Sequence, residues 1–357
     1  MKKGFLKEAG FNILFWVIAC SLFVIYRYFG VYDYTEYFIK IKSVNLGLMF
    51  AEANIVAVFY AFLISLVDYA FDIEKFKRAS FRNIILIKSI AYSLIIFFAI
   101  VSIFVTHGIL TNQTEGRIMY SLNYTFSSQY PIALFIYGVS MSLLLNFIKQ
   151  VNKKFGPGIL WKLFSGKYHR PRQEERIFMF LDLRSSTTIA EKLAHIRYSE
   201  FIQDCFYDIT SIIARYKAEI YQYVGDEIIL TWEMNKGMEN ENCFHFYFAF
   251  KQLLCKRKDF YLKKFGIIPE FKAGMNCGFV TVAEVGEIKK EIAYHGDVLN
   301  TAARIQDQCN KYNKDILMSN KMHRLMPRFE GFRGELIGEV LLKGKNIPTG
   351  LYSLEFA

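Results

Sequence analysis

Paired cysteines are missing from this sequence. Cys20, Cys205, Cys243, Cys255, Cys277 and Cys309 include no CxxC pair and no zinc-ligand spacing. That excludes a disulfide framework or a zinc finger and leaves them as small core residues of a reducing compartment. A basic stripe interleaved with aromatics is also missing from the second half, so nucleic acid is not an expected partner despite a formal net charge of +11. The first apolar run lacks a small-residue cleavage site, which argues against a removable signal peptide.

What the chain has is apolar surface. Of its 357 residues 53% are hydrophobic and 17% aromatic, too much for two ordinary soluble domains. The excess falls in four runs: Phe11–Tyr26, Leu48–Phe71, Ile84–Leu110 and Tyr130–Phe147. A spanning helix needs roughly 20 such residues, with about 17 as the lower end, so the runs predict four transmembrane helices within residues 1–150. Lys2, Lys3 and Lys7 precede the first run, Lys75, Lys77, Arg78 and Arg82 join the second to the third, and Lys149, Lys153 and Lys154 follow the fourth. The third-to-fourth connection has only Arg117, although the first-to-second has Lys40 and Lys42. The positive-inside rule then places both termini in the cytoplasm, with membrane lipid around the runs at the cell's inner or plasma membrane. Glu52, Asn54 and Asp68 lie in or near the second run. Interfacial solvation near its ends suffices to account for the two acids. Ala53-x-x-x-Ala57 and Gly138-x-x-x-Ser142 suit close helix packing.

Residues 151–173 form a basic linker whose Gly156-Pro157-Gly158 ends the fourth helix, with no periodicity replacing it. Residues 174–357 carry the pattern of a soluble domain. Arg176–Leu183 reads as a buried strand, followed by a helix with a Thr188–Glu191 capping box and a second helix over Tyr198–Tyr216. Glu219–Val224 and Ile228–Trp232 flank Gly225-Asp226-Glu227 as a tight hairpin. A helix over Cys243–Lys258, a hairpin around Gly278, a short strand Glu291–Tyr294, a helix Asp297–Lys311 and a last hairpin around Lys343-Gly344-Lys345 complete the list. This order predicts an α+β fold with helices on one face of an antiparallel sheet.

Asp182 ends the first strand and Asp226 sits at a hairpin tip. If those strands are neighbours, both carboxylates emerge at one sheet edge, where a hard divalent cation would take them together with phosphate oxygens. Leu183–Thr187, with Ser185, Ser186 and Thr187, leads into a helix N-terminus suited to an anion. Asn300 and Arg304 are four apart and share one helix face, where an amide can orient a ribose and a guanidinium can neutralise a phosphate. Lys343 supplies a point charge for phosphates.

Together these segments resemble the class III nucleotidyl cyclase catalytic domain, the family of adenylyl and guanylyl cyclases. Phe180-Leu181-Asp182-Leu183-Arg184-Ser185-Ser186-Thr187 is similar to the first metal-binding motif and Tyr223-Val224-Gly225-Asp226 to the second. Gly296–Arg304 is similar to the dimer-partner motif, and Leu342-Lys343-Gly344-Lys345 to the late phosphate-binding lysine. The resemblance covers about Glu175 to the C-terminus. It implies a ferredoxin-like α+β domain acting as a homodimer with two Mg2+ or Mn2+ ions per site. Asp182, Asp226 and the Leu183 carbonyl would hold the metal, and Asn300 and Arg304 would come from the other protomer. The implied reaction is attack of the ribose 3′-hydroxyl on the α-phosphate, with pyrophosphate leaving.

Base selection departs from the family pattern. Gln222 stands where adenylyl cyclases commonly carry Lys and guanylyl cyclases Glu. Ala293 stands where they commonly carry Asp or Thr, and Cys. A glutamine amide both donates and accepts, so it can meet adenine or guanine. ATP is the expected substrate on the breadth of the family, with GTP, and a catalytically silent membrane scaffold, as alternatives. A diguanylate cyclase fits less well, since its tip motif begins with two glycines and continues to Phe, where Val224 and Ile228 stand here.

Overall fold

The computed structural model describes residues 2–29, 46–71, 81–110, 130–156, 159–325 and 331–356. The chain divides into two compact units, Met1–Phe155 and Gly156–Ala357.

The first unit contains α1 (Lys2–Arg27), α2 (Leu46–Phe71), α3 (Phe81–Leu110) and α4 (Tyr130–Phe155). Each holds a stretch long and apolar enough to cross a membrane, from Glu8–Arg27 to Pro131–Asn152. Phe59, Ile90, Phe98 and Ile136 are exposed on the outside of these helices. Inside, Trp16, Tyr60, Ile64, Tyr92 and Leu145 pack together. The small residues serve this packing. Ala57 is buried, and a Cβ on Gly138 would lie 3.0 Å from Ile96 Cδ1 of α3. Lys40, Lys42, Lys75, Lys77, Arg78 and Arg117 lie outside the described residues.

Asp68 does not behave as the sequence suggests. It is buried, not solvated at an interface, because side chains from the three other helices close over it. Glu52 is exposed, and Asn54 accepts a 3.3 Å hydrogen bond from Ser21 Oγ.

The second unit opens with a short helix, α5 (Ile159–Phe164), where the sequence suggested bare connector. Lys162 on α5 reaches Glu219, and Tyr168 is buried with its hydroxyl on Glu174 at 2.9 Å. The unit continues through β1 (Arg172–Leu183), α6 (Ser186–Ile213), β2 (Glu219–Val224), β3 (Glu227–Glu233), α7 (Met234–Met238), α8 (Asn242–Lys256), α9 (Lys258–Phe265) and β4 (Phe271–Val285). It ends with β5 (Glu291–His295), α10 (Asp297–Lys311), β6 (Ile316–Ser319), α11 (Asn320–Leu325), β7 (Phe332–Val340) and β8 (Thr349–Phe356). The sheet order is β2-β3-β1-β4-β6-β8-β7, with β5 paired to β4.

Three expectations fail for physical reasons. The sheet is mixed, because β4 and β6 run parallel. Its helices lie on both faces. Ile177, Met179 and Leu181 of β1 pack with Phe201 of α6 and Phe250 of α8, while Phe178 and Phe180 pack with Val298 and Ala302 of α10. Gly278 makes no turn but lies within the continuous strand β4, opposite Arg176. A Cβ there would meet Val298 Cγ2 at 3.1 Å, so this glycine serves close approach of α10.

Candidate active site

The two carboxylates meet because their strands are neighbours. β1 runs antiparallel to β3 with Asp182 opposite Glu227, and Asp226 stands just before Glu227 at the β2–β3 tip. Gly225 turns that tip with φ 64, a conformation favouring glycine. Leu183, the last residue of β1, is buried and pairs with Phe271 of β4.

Burial pushes the Asp226 carboxyl above the ordinary carboxylate range; a hydrogen bond with Ser186 works against this, and the neighbouring Asp182 adds to it. Asp226 Oδ2 is buried and has no hydrogen-bond partner. Asp182 is better supplied: its Oδ2 accepts from Gln306 Nε2 at 2.9 Å and lies 3.1 Å from Lys272 Nζ. Burial also raises Glu227, to about 7, with Asp182, Asp226 and Asp307 contributing and Lys272 opposing. Tyr198 on α6 is raised to about 12 by burial and by Asp226 and Asp182.

A buried carboxylate oxygen without a donor, crowded by a second carboxylate, is short of positive charge. The donor set suits a hard divalent cation. Among the described residues no three His, Cys, Asp or Glu side chains gather to hold one. Asp182 and Asp226 alone would be a partial donor set, of the kind that phosphate oxygens complete.

Helix α6 begins at Ser186 after Ser185, which is left-handed (φ 54) and makes no side-chain cap. The Thr188–Glu191 capping box does not form either, since Thr188 already lies inside the helix. The backbone breaks at Ala194, which separates the two expected helices. The Ser186 side chain is turned to Asp226 and Tyr198, and Ser185 and Thr187 are exposed.

Asn300 and Arg304 do not join this cluster. On α10 the side chain that reaches Asp182 is Gln306, and two residues are about 200° of helix, so Arg304 points the opposite way. Arg304 lies instead under the β7–β8 connection, where a Cβ on Gly344 would come 3.3 Å from its Nη2. Lys345 of that connection pairs with Asp297 at the start of α10, and Lys343 is exposed. Gln222 is exposed on the edge strand β2, and Ala293 pairs with Ala283 from β5. Their neighbours Tyr221 and Tyr294 meet edge to face at 4.9 Å, although β2 and β5 are separated in the sheet by β3, β1 and β4.

Sequence reading missed Glu227, Lys272, Gln306 and Asp307. Glu227 is adjacent to Asp226 and could have been found from the hairpin alone. The other three enter only through the β1–β4 register and the docking of α10.

Residues 169–355 match the adenylate and guanylate cyclase catalytic domain, more than half of the chain. The chain belongs to this family. It is 28% identical over 247 residues to Adenylate cyclase 2 of Rhizobium meliloti (strain 1021), covering 69% of this chain and 65% of that protein. That stretch is longer than the matched domain, so the similarity continues ahead of residue 169. The receptor-type guanylate cyclase gcy-7 of Caenorhabditis elegans is 25% identical over 191 residues, which are 52% of this chain and 17% of that protein. The chain thus spans less than two thirds of either relative. Among solved structures, a bacterial light-regulated adenylyl cyclase shares the fold with a TM-score of 0.52 at 18% identity, over 60% of this chain and 64% of that one.

Proposed function

We propose that the chain is a membrane-anchored adenylate cyclase that converts ATP to 3′,5′-cyclic AMP and pyrophosphate at sites shared between two protomers. The reading is carried by Asp226, whose buried, partnerless oxygen stands beside Asp182 at the edge of a cyclase-family sheet. Asp182, Asp226 and the Leu183 carbonyl would hold magnesium or manganese, which when bound would supply charge neutralisation for the reaction. Gln306 and Lys272 fix the Asp182 carboxylate for that task. The N–H groups at the start of α6, around Ser185, Ser186 and Thr187, receive phosphate oxygens, and Lys343 adds a point charge. The ribose 3′-hydroxyl attacks the α-phosphate in line and pyrophosphate departs.

The orientation of α10 supports the shared-site reading. With Gln306 committed to its own Asp182, Arg304 and Asn300 face away from it and serve the site of the other protomer. There Asn300 orients the ribose and Arg304 stabilises charge at the α-phosphate. Gln222 reads the base with the β5 backbone at Ala293. The four apolar helices hold both protomers in one membrane, with the termini and the cyclase unit in the cytoplasm. The product serves intracellular signalling.

Turnover of ATP and of GTP by the full chain in membranes with manganese tests this. ATP is expected to be preferred. A preference for GTP overturns the substrate assignment, and no product from either favours a silent scaffold.

A further inference from the structure

Each of the four apolar helices contributes one charged residue to a single network: Glu8 from α1, Asp68 from α2, Lys88 from α3 and Lys149 from α4. Asp68 is its centre. Its Oδ1 takes Lys88 Nζ and the Tyr92 hydroxyl, both at 2.5 Å. Its Oδ2 takes Lys149 and, at 3.4 Å, the amide of Asn12 on α1. Lys149 also lies 3.8 Å from Glu8. The Asp68 and Lys88 side chains are 1% and 7% exposed, and that of Lys149 11%.

Two acids balance two lysines, so the network closes on itself and offers no spare charge to an external ion. Its effect is on packing. Turning or sliding α2, α3 or α4 would strand a buried charge among apolar side chains, which is costly, whereas Glu8 of α1 is 40% exposed. Apolar contacts alone tolerate many helix arrangements in lipid, whereas this network tolerates one. Lys149 is on α4, which ends at Phe155, and the cyclase unit begins at the next residue.

We propose that Glu8, Asp68, Lys88 and Lys149 form an ionic latch that fixes α4 against the other three helices and thereby sets cyclase output. The inference rests on the shared-site reading above. Two half-sites work only when the protomers are held in one relative arrangement, and a loosened α4 admits further arrangements that dilute the productive one.

The test removes the three buried charges together and leaves Glu8, whose side chain is 40% exposed, in place. Replacing a buried ionic cluster wholesale by apolar side chains is often neutral or stabilising. The full-length triple variant Asp68→Leu/Lys88→Met/Lys149→Met is therefore expected to insert in membranes at the wild-type level. Its kcat per inserted chain is expected to fall at least fivefold, with KM for the nucleotide within twofold of wild type. Lys149→Arg, which keeps the charge, is expected to stay within twofold in both. An unchanged kcat in the inserted triple variant overturns the latch and leaves the network a packing device. A change in KM alone overturns it too, since the effect would then lie at nucleotide binding. A wild-type chain without cyclase activity overturns instead the reading on which the latch rests.

Discussion

Gly274 of β4 lies so close to Gln306 of α10 that a Cβ on the glycine would fall 2.3 Å from the Gln306 backbone nitrogen. This approach brings the Gln306 amide onto Asp182 at 2.9 Å. Gly274→Ala is therefore expected to push α10 off the sheet. Overpacking of this kind costs about 1–3 kcal/mol. Thermal unfolding of the variant checks the loss, which should be accompanied by reduced turnover because Asp182 loses its partner.

The amide itself is separable from the packing. Gln306→Ala leaves β4 and α10 in contact but frees Asp182 Oδ2 of one donor. Groups that orient a metal ligand typically change metal affinity about 10- to 100-fold. Manganese titration followed by electron paramagnetic resonance, without nucleotide, is expected to show roughly tenfold weaker binding in this variant. Unchanged affinity would mean that Lys272 alone orients the carboxylate.

Glu227 gives the second unit a pH-dependent stability. Its folded-state carboxyl titrates at about 7, above the ordinary 4.5, because burial and then Asp182, Asp226 and Asp307 disfavour its charge. The folded state thus holds this proton more tightly than the unfolded chain. The contribution is complete below about pH 4.5 and is lost as pH rises through about 7. Glu227→Gln, neutral throughout, is expected to raise the unfolding temperature at about pH 8 and to leave it near wild type at about pH 5. Equal shifts at both pH values would refute the assignment.

Tyr168, ahead of the first strand, belongs to the core of the second unit. It is 1% exposed and packs with Phe178, Val280 and Val282. A fragment starting at Glu174 lacks it, and loss of a buried aromatic costs about 3–5 kcal/mol. The fragment Gly156–Ala357 is expected to unfold at a clearly higher denaturant concentration than Glu174–Ala357.

Much of this was legible in the sequence. The four apolar helices follow from run length, and the Asp182 and Asp226 positions follow from a strand end and a hairpin tip, both local patterns. What escaped is non-local. Gly278 looks like a turn because its sequence neighbours cannot reveal that Val298 packs over it. Asp68 looks interfacial because Asn12, Lys88 and Lys149 reach it from other helices, 20 to 81 residues away. Gln306 and Lys272 reach Asp182 only after β1, β4 and α10 have stacked. Periodicity assigned α10 correctly, yet it could not show which of its faces looks toward the protomer's own carboxylates.

That last point is the central one, and complementation measures it directly. Asp182→Ala and Arg304→Ala are each expected to abolish cyclic nucleotide formation by the full chain. Co-expressed in one membrane, they are expected to recover up to about one quarter of wild-type activity per chain. Random pairing makes half of all dimers hybrids, and each hybrid keeps one intact site of two. No recovery, with both variants inserted and associated, would contradict a site built from Asp182 of one protomer and Arg304 of the other.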